Sequence, residues 1–320
     1  MTRYLDTVPH PWNYSVIEQA IFENFTDART AIEDMEGGRL WRSLQELDDS
    51  VYVLEMNITD LLDEISLFSD RSKNPAFWRK GDGSEAEHHT REIKRKLSNC
   101  TGSLMALVDH ARNFKRVSPV PDYAEKLKEY FSSSGLHDFL QCLRNYNTHW
   151  RIAQANWIVS YDHEVNSRQA RFFVRKADLL AWDGWNTMAE GYIKGVKDAI
   201  DIYEVFSTYR GNVQQFYAWH QGAVFSHYNA MLRPYLECKR LYEGINKKNN
   251  WNVVISHAPK TLNPLQYLSQ YLPSHAVEYV LGLPYKSKQQ VDEIIRLLDM
   301  DEFCDEALRG KLYALFGVAK

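Results

Sequence analysis

At 320 residues, 44% hydrophobic and 25% charged, the chain has an ordinary soluble composition and enough length for one large or two modest domains. A net charge of −4 excludes a wholesale nucleic-acid coat, so phosphate contacts have to come from a local basic patch acting over roughly 8–10 Å. Cys100, Cys142, Cys238 and Cys304 form no Cys-x-x-Cys pair and read as reduced thiols. No apolar run approaches the ~18 residues of a membrane span, and Met-Thr-Arg-Tyr-Leu-Asp carries no signal-peptide core, so the cytoplasm is the expected compartment and no membrane contact is expected.

The first third reads as helical. Ile17, Ile21, Phe25, Ala28, Ile32 and Met35 recur at three and four, and Gly37-Gly38 is expected to stop that helix. Leu40, Leu44, Leu47, Val51, Leu54, Ile58, Leu61 and Ile65 then keep an unbroken 4-3 alternation, the seam of a long antiparallel hairpin. Asp70 to Ser84 reads as a loop. A third long helix is expected from about Glu85 to Phe114, with Ile93, Leu97, Cys100, Leu104 and Leu107 on one face. Ser118-Pro-Val-Pro breaks the pattern before a short helix from Tyr123 to Phe131. Ser132-Ser-Ser-Gly then leads into a helix from Leu136 to Arg151, with Leu136, Leu140, Leu143 and Trp150 on its apolar stripe. Trp157, Val159 and Tyr161 alternate, as do Ala170, Phe172 and Val174, which predicts a β-hairpin over 153–176 turning near Val165 to Ser167. Helices return from about Trp185 to Lys247, broken near Arg210-Gly211. A proline-bearing tail with a helix at Lys288 to Leu298 closes the chain.

Residues 144–149 read Arg-Asn-Tyr-Asn-Thr-His. RNA can be cut without a metal, because its 2′-hydroxyl can attack the adjacent phosphate. A catalyst then has to orient the hydroxyl, stabilise charge on phosphorus and move two protons. Histidine suits the proton transfers because its ordinary pKa is about 6.5. Arginine grips phosphate oxygens with a planar fork and stays charged throughout. His149 is therefore the expected proton-transfer or hydroxyl-orienting group, Arg144 the phosphate clamp, and Asn145 an orienting residue. Five residues along an ideal helix rotate by about 140°, so Arg144 and His149 do not share a face, whereas Asn145 and His149, four apart, do.

This string resembles the R-x4-H signature of the HEPN superfamily, in the RN-xxx-H form common among its ribonucleases. The resemblance covers about ten residues strongly and the helical half of the chain by fold class alone. Together with the periodicities above, it leads to an expected mainly α fold: a helical bundle of HEPN type with long antiparallel helices, one inserted β-hairpin and a small C-terminal helical extension. It also implies a metal-independent endoribonuclease that leaves 2′,3′-cyclic phosphate ends, without a cofactor. A homodimer is implied as well, in which two such helices meet and their Arg and His residues form one composite cleft. Toxin, stress or antiphage roles follow by the same resemblance, with cellular RNA such as tRNA as target and an antitoxin or regulator as partner. In HEPN proteins paired with nucleotidyltransferase antitoxins, a tyrosine two residues after the histidine is modified. Arg151 holds that position here, which puts this route of regulation in doubt and adds a cation beside the motif.

Basic residues cluster nearby in sequence: Arg91, Lys94, Arg95 and Lys96; Arg112, Lys115 and Arg116; and Arg168, Arg171, Arg175 and Lys176. Arg151 and the last four are the expected RNA-binding residues, laid along a groove edge by the hairpin. Taken singly, each cluster also suits a solvated face. Glu85, His88, His89 and Glu92 place a Glu-x-x-His on one helix face, but the further ligands of a di-iron bundle have no visible source, so solvated surface is the expectation and no metal site. His220 and His227 read as packing histidines. No Gly-rich phosphate loop or Gly-x-Ser-x-Gly elbow is present. The resulting division is a helical domain over residues 10–245 and a small C-terminal helical extension over 246–320. The rival to a nuclease is a non-catalytic HEPN-like module that binds nucleotide, RNA or protein. A helical scaffold stands third.

Overall fold

The protein is mainly α-helical with a small antiparallel sheet, in a computed structural model that describes residues 2–79, 84–132, 135–162, 167–259 and 262–318, the side chains of 160–162 and 167–169 excepted. The elements in chain order begin with α1 (Tyr14–Glu33), α2 (Glu36–Arg71), α3 (Glu85–Val117), α4 (Tyr123–Phe131) and α5 (Leu136–His149). Strands β1 (Asn156–Asp162) and β2 (Ser167–Arg175), helices α6 (Lys176–Leu180) and α7 (Thr187–Gly195), and strand β3 (Ala199–Asp201) follow. The chain continues through α8 (Ile202–His227), α9 (Asn229–His257), α10 (Ser274–Leu281), α11 (Lys288–Leu297) and α12 (Glu306–Phe316). Two compact units result: residues 40–229 form one, and residues 1–39 with 230–320 form the other. The C-terminal helices are thus grouped with the N-terminal helix rather than divided off near residue 245.

In the unit of residues 40–229, the 4-3 seam is buried at Leu40, Leu44, Leu47, Leu54, Ile58, Leu61 and Ile65. Residues of α2 meet those of α3 in reverse order: Ser50 with His110, Asn57 with Cys100 and Glu64 with His89. That is the antiparallel hairpin the alternation predicts. Helix α8 also runs against α2, with Gln221 bonded to Asp48 and Arg210 to Thr59. The sheet has the order β1-β2-β3, with Trp157 opposite Phe172 and Ile158 opposite Arg171. Period-2 alternation buries Ala170, Phe172 and Val174 and leaves Arg171 and Arg175 exposed. Phe172 seals the sheet onto the bundle, its ring 4.7 Å from Phe68 of α2 in an edge-on pair. The hairpin turn at 163–166 lies outside the described residues, as do the Gly-Asp-Gly stretch at 81–83 and Ser133-Ser134.

Several expectations need correction. Gly37 and Gly38 open α2 instead of closing α1. A Cβ on Gly37 would stand 2.4 Å from the Met231 carbonyl oxygen of α9, so glycine is there for close helix approach. Helix α1 kinks at Asn24 (φ −162°, ψ 106°), whose side chain accepts from the backbone N–H groups of Thr26 and Asp27 and caps a second helical segment. The kink breaks the helical period, and Phe25 is 63% exposed instead of facing the core. The region after Trp185 holds β3 as well as helices. Its long helices part at Tyr228, while Gly211 sits inside α8. The solvated surface expected at Glu85 to Glu92 contains a buried group: the His89 ring is bonded to Glu64, which Lys96 also holds at 2.7 Å. Burial alone would raise the Glu64 carboxyl, but the hydrogen bonds from Lys96 and His89 outweigh it and hold it below the usual range.

In the second unit, Asn13 caps α1 by accepting from the Val16 N–H. Tyr242 of α9 donates to the Phe25 carbonyl, and Lys248 pairs with Asp305 at 2.9 Å while touching Tyr14. Gln290 on α11, buried, donates to the Val280 carbonyl of α10, which satisfies a polar group that would otherwise be costly to enclose.

Candidate functional site

Helix α5 is fixed at both ends by features that only certain residues supply. Gly135 starts it with φ +71°, and a Cβ there would stand 2.8 Å from the Met188 carbonyl oxygen of α7. Leu136, Phe139, Leu140, Leu143 and Tyr146 form its buried stripe. Tyr146, the centre of the 144–149 string, is fully buried, with its ring 5.6 Å from Trp185 and 5.5 Å from Trp182. Its hydroxyl donates to the Asp178 carbonyl at 3.4 Å and accepts from Arg151 at 2.8 Å. Asn147 closes the far end: its amide donates to Thr101 Oγ1 on α3 and its carbonyl oxygen accepts from the Ala153 N–H at 2.9 Å. These two are structural residues of the motif that sequence reasoning passed over. The signal available was Tyr146 itself, three residues beyond Leu143 on the apolar stripe.

With Tyr146 and Asn147 pointing inward, helical rotation turns Arg144, Asn145, Thr148 and His149 toward solvent. Arg144 is half-buried, while Asn145 and His149 are exposed. The Arg144 guanidinium donates to Asn145 Oδ1 at 3.1 Å, which draws it toward the side that Asn145 shares with His149. Among the described residues, no carboxylate lies within ion-pairing distance of Arg144 and no group is hydrogen-bonded to the His149 ring. The helix ends at His149, short of Arg151, and Trp150, expected on the apolar stripe, is 55% exposed because the backbone has left the helix there.

The basic residues sort by their partners. Arg95 is engaged by Glu92, Lys96 by Glu64, Arg91 by Glu87 and Arg112 by Asp109. Lys115 lies over the Tyr123 ring. Lys176 donates to the carbonyls of Lys194 and Val196 at the end of α7, and Arg151 to Tyr146 and the Asp178 carbonyl. Arg144, Lys94, Arg171 and Arg175 have no acidic partner among the described residues. Lys94 reaches the α5–β1 connection, donating to Gln154 Oε1 at 3.0 Å. The side chain of Arg168 lies outside the described residues. Arg144 and Lys94 are thus cations at or beside the α5 end without a carboxylate, and Arg171 and Arg175 are such cations on the sheet.

His137 and Gln141 occupy the α5 stripe that leads to Arg144. His137 Nδ1 is 2.9 Å from the Tyr209 hydroxyl and Nε2 is 2.6 Å from the Gln141 amide. Burial pushes the His137 imidazole down and the Tyr209 phenol up, so both are neutral near pH 7 and form a packing network. The four cysteines are free and buried. Among the described residues, no helix is long and apolar enough to cross a membrane. Set against protein-family models, curated proteins and solved structures, the chain matches none.

Proposed function

We propose that this protein is a metal-independent endoribonuclease of HEPN type, with Arg144 and His149 as its reacting pair and Asn145 as the residue that orients Arg144. One observation carries the reading: both groups stand at the solvent-facing end of α5 with no carboxylate or ring partner among the described residues. A scaffold role would engage them in ion pairs or packing. Arg144 stabilises charge on the phosphate, and His149 positions the 2′-hydroxyl or carries a proton. The expected products end in 2′,3′-cyclic phosphate and 5′-hydroxyl groups. Incubation with total RNA in EDTA, followed by mapping of the cut ends, tests this. Binding without cutting would assign the chain to the non-catalytic alternative. Target choice within cellular RNA, tRNA included, and any antitoxin or regulator are proposals on the same footing.

The offset of about 140° between Arg144 and His149 makes one chain a poor complete site. A homodimer whose two-fold axis passes near α5 supplies the missing groups from the second copy, and such an interface is self-complementary. Light scattering is expected to give twice the chain mass. A strictly monomeric protein that still cleaves RNA would refute the composite cleft.

Arg171 and Arg175 are proposed to bind substrate rather than carry out chemistry, since both project from the exposed sheet face without an acidic partner among the described residues. Removing one phosphate-neutralising cation lowers the salt slope of RNA binding by about 0.7–0.9. Arg171→Ser with Arg175→Ser is expected to weaken binding most at low salt and to leave turnover at saturating RNA nearly unchanged. Impaired turnover with full affinity would move these arginines into the reacting site.

A further inference from the structure

Trp150 is the most exposed of the tryptophans, ahead of Trp157 at 40%. Tyr146, Trp182 and Trp185 pack against one another beneath α5, whereas the Trp150 ring is 55% exposed and has no aromatic partner among the described residues. Its backbone is nevertheless held firmly. The Trp150 and Arg151 N–H groups both donate to the Tyr146 carbonyl, at 3.1 and 3.0 Å. Arg151 is tied to Tyr146 and Asp178, and Ala153 to Asn147. Gln154, which Lys94 contacts, donates to the Ile152 carbonyl at 2.8 Å. A large flat apolar surface is therefore displayed immediately after His149, with Arg144 earlier on the same helix and Lys94 bonded to Gln154 four residues after Trp150, neither with an acidic partner among the described residues.

That combination has a specific chemical complement. Every nucleobase has a π face that stacks on an aromatic ring, but in a duplex both faces are already covered by neighbouring bases. A protein partner would find the same ring useful, yet an arginine and a lysine on the flanking segments that hold only neutral amide partners among the described residues are better matched by a phosphate backbone. We infer that the α5 end takes single-stranded RNA, with a base next to the scissile phosphate stacked on Trp150 and a flanking phosphate held by Lys94. The inference rests on the nuclease reading for the identity of the strand, and it adds what that reading lacks, a reason to discriminate single strands from duplex.

The test uses the full chain carrying His149→Ala, so that bound RNA stays intact. Anisotropy titrations compare a short mixed-sequence oligoribonucleotide with the same sequence annealed to its complement. Adding Trp150→Ala is expected to weaken single-strand binding roughly ten- to hundredfold, with Trp150→Phe restoring most of it, while the already weaker duplex binding barely changes. Lys94→Ser is expected to lower the salt slope for the single strand by about 0.7. Equal single-strand affinity in Trp150→Ala would overturn the proposal. So would a loss of single-strand and duplex binding together with a halved mass, which would place Trp150 in a protein interface. Cutting by the unaltered chain that Trp150→Ala leaves unchanged would remove the stacking role and spare the nuclease. Trp150-dependent binding by a chain that never cuts would remove the nuclease and keep the single-strand site.

Discussion

Arg144→Ala and His149→Ala are each expected to slow RNA cleavage in EDTA by about 10²–10⁴-fold while leaving the protein folded. The magnitude for His149 is that of removing a positioned acid–base group. For Arg144 it is that of removing a preorganised charge aimed at the developing transition state. Both side chains stand outside the buried stripe of α5, and among the described residues the Arg144 side chain has a single hydrogen bond, to its neighbour Asn145. Stability should therefore change by less than about 1 kcal/mol for each, as for surface positions generally. Arg144→Lys is the sharper probe: it keeps the charge but not the fork that grips two phosphate oxygens, so it should recover only part of the rate. Parental rates in both alanine variants would make the motif a coincidence.

The readable parts of the fold were those in which one short period runs unbroken. Leu40 to Ile65 repeats the 4-3 step often enough to identify a helix and its antiparallel partner, and Ala170 to Val174 does the same for a strand. The unread parts depend on partners remote in sequence. Strand β3 is three residues long and exists because Val174 pairs with Ile200 and Phe173 with Asp201. Gly37-Gly38 has the composition of a helix stop, and only the approach of α9 reveals it as a crossing point. Asn24 interrupts α1 through its own side chain, a local choice that the apolar period overrides on paper. At the site, Arg144 and His149 could be singled out by residue type and spacing. Which cations remain without carboxylates, and that Trp150 faces outward, required the packing.

His220 is expected to make the protein acid-sensitive. It lies on α8, 2% exposed, among the rings of Phe114, Tyr123 and Phe216, and its Nε2 has no hydrogen-bond partner among the described residues. Burial pushes its pKa down to about 4, against an ordinary value near 6.5 in the unfolded chain. The titratable groups around it, Tyr123 and Tyr217, have phenols pushed up by burial and remain neutral, so neither offers a charge that would hold a proton on the ring. Above about pH 6.5 the imidazole is neutral in both states and contributes no pH dependence. Between about pH 6.5 and 4 the unfolded chain binds a proton that the folded chain refuses, so stability falls as pH falls. The loss from this one group amounts to about 2 kcal/mol at pH 5 and about 3 kcal/mol once the pH is below 4. His137, also pushed down by burial, acts in the same direction, and so the parent alone cannot isolate His220. Urea midpoints of the parent and of His220→Leu at pH 7.5 and pH 5 separate them, because leucine fills similar space and cannot titrate. The stability difference between the two proteins should move by about 2 kcal/mol in favour of the variant on acidification. Parallel behaviour across that range would mean that His220 finds a partner for its proton, and that the aromatic cage is more accessible to water than its packing indicates.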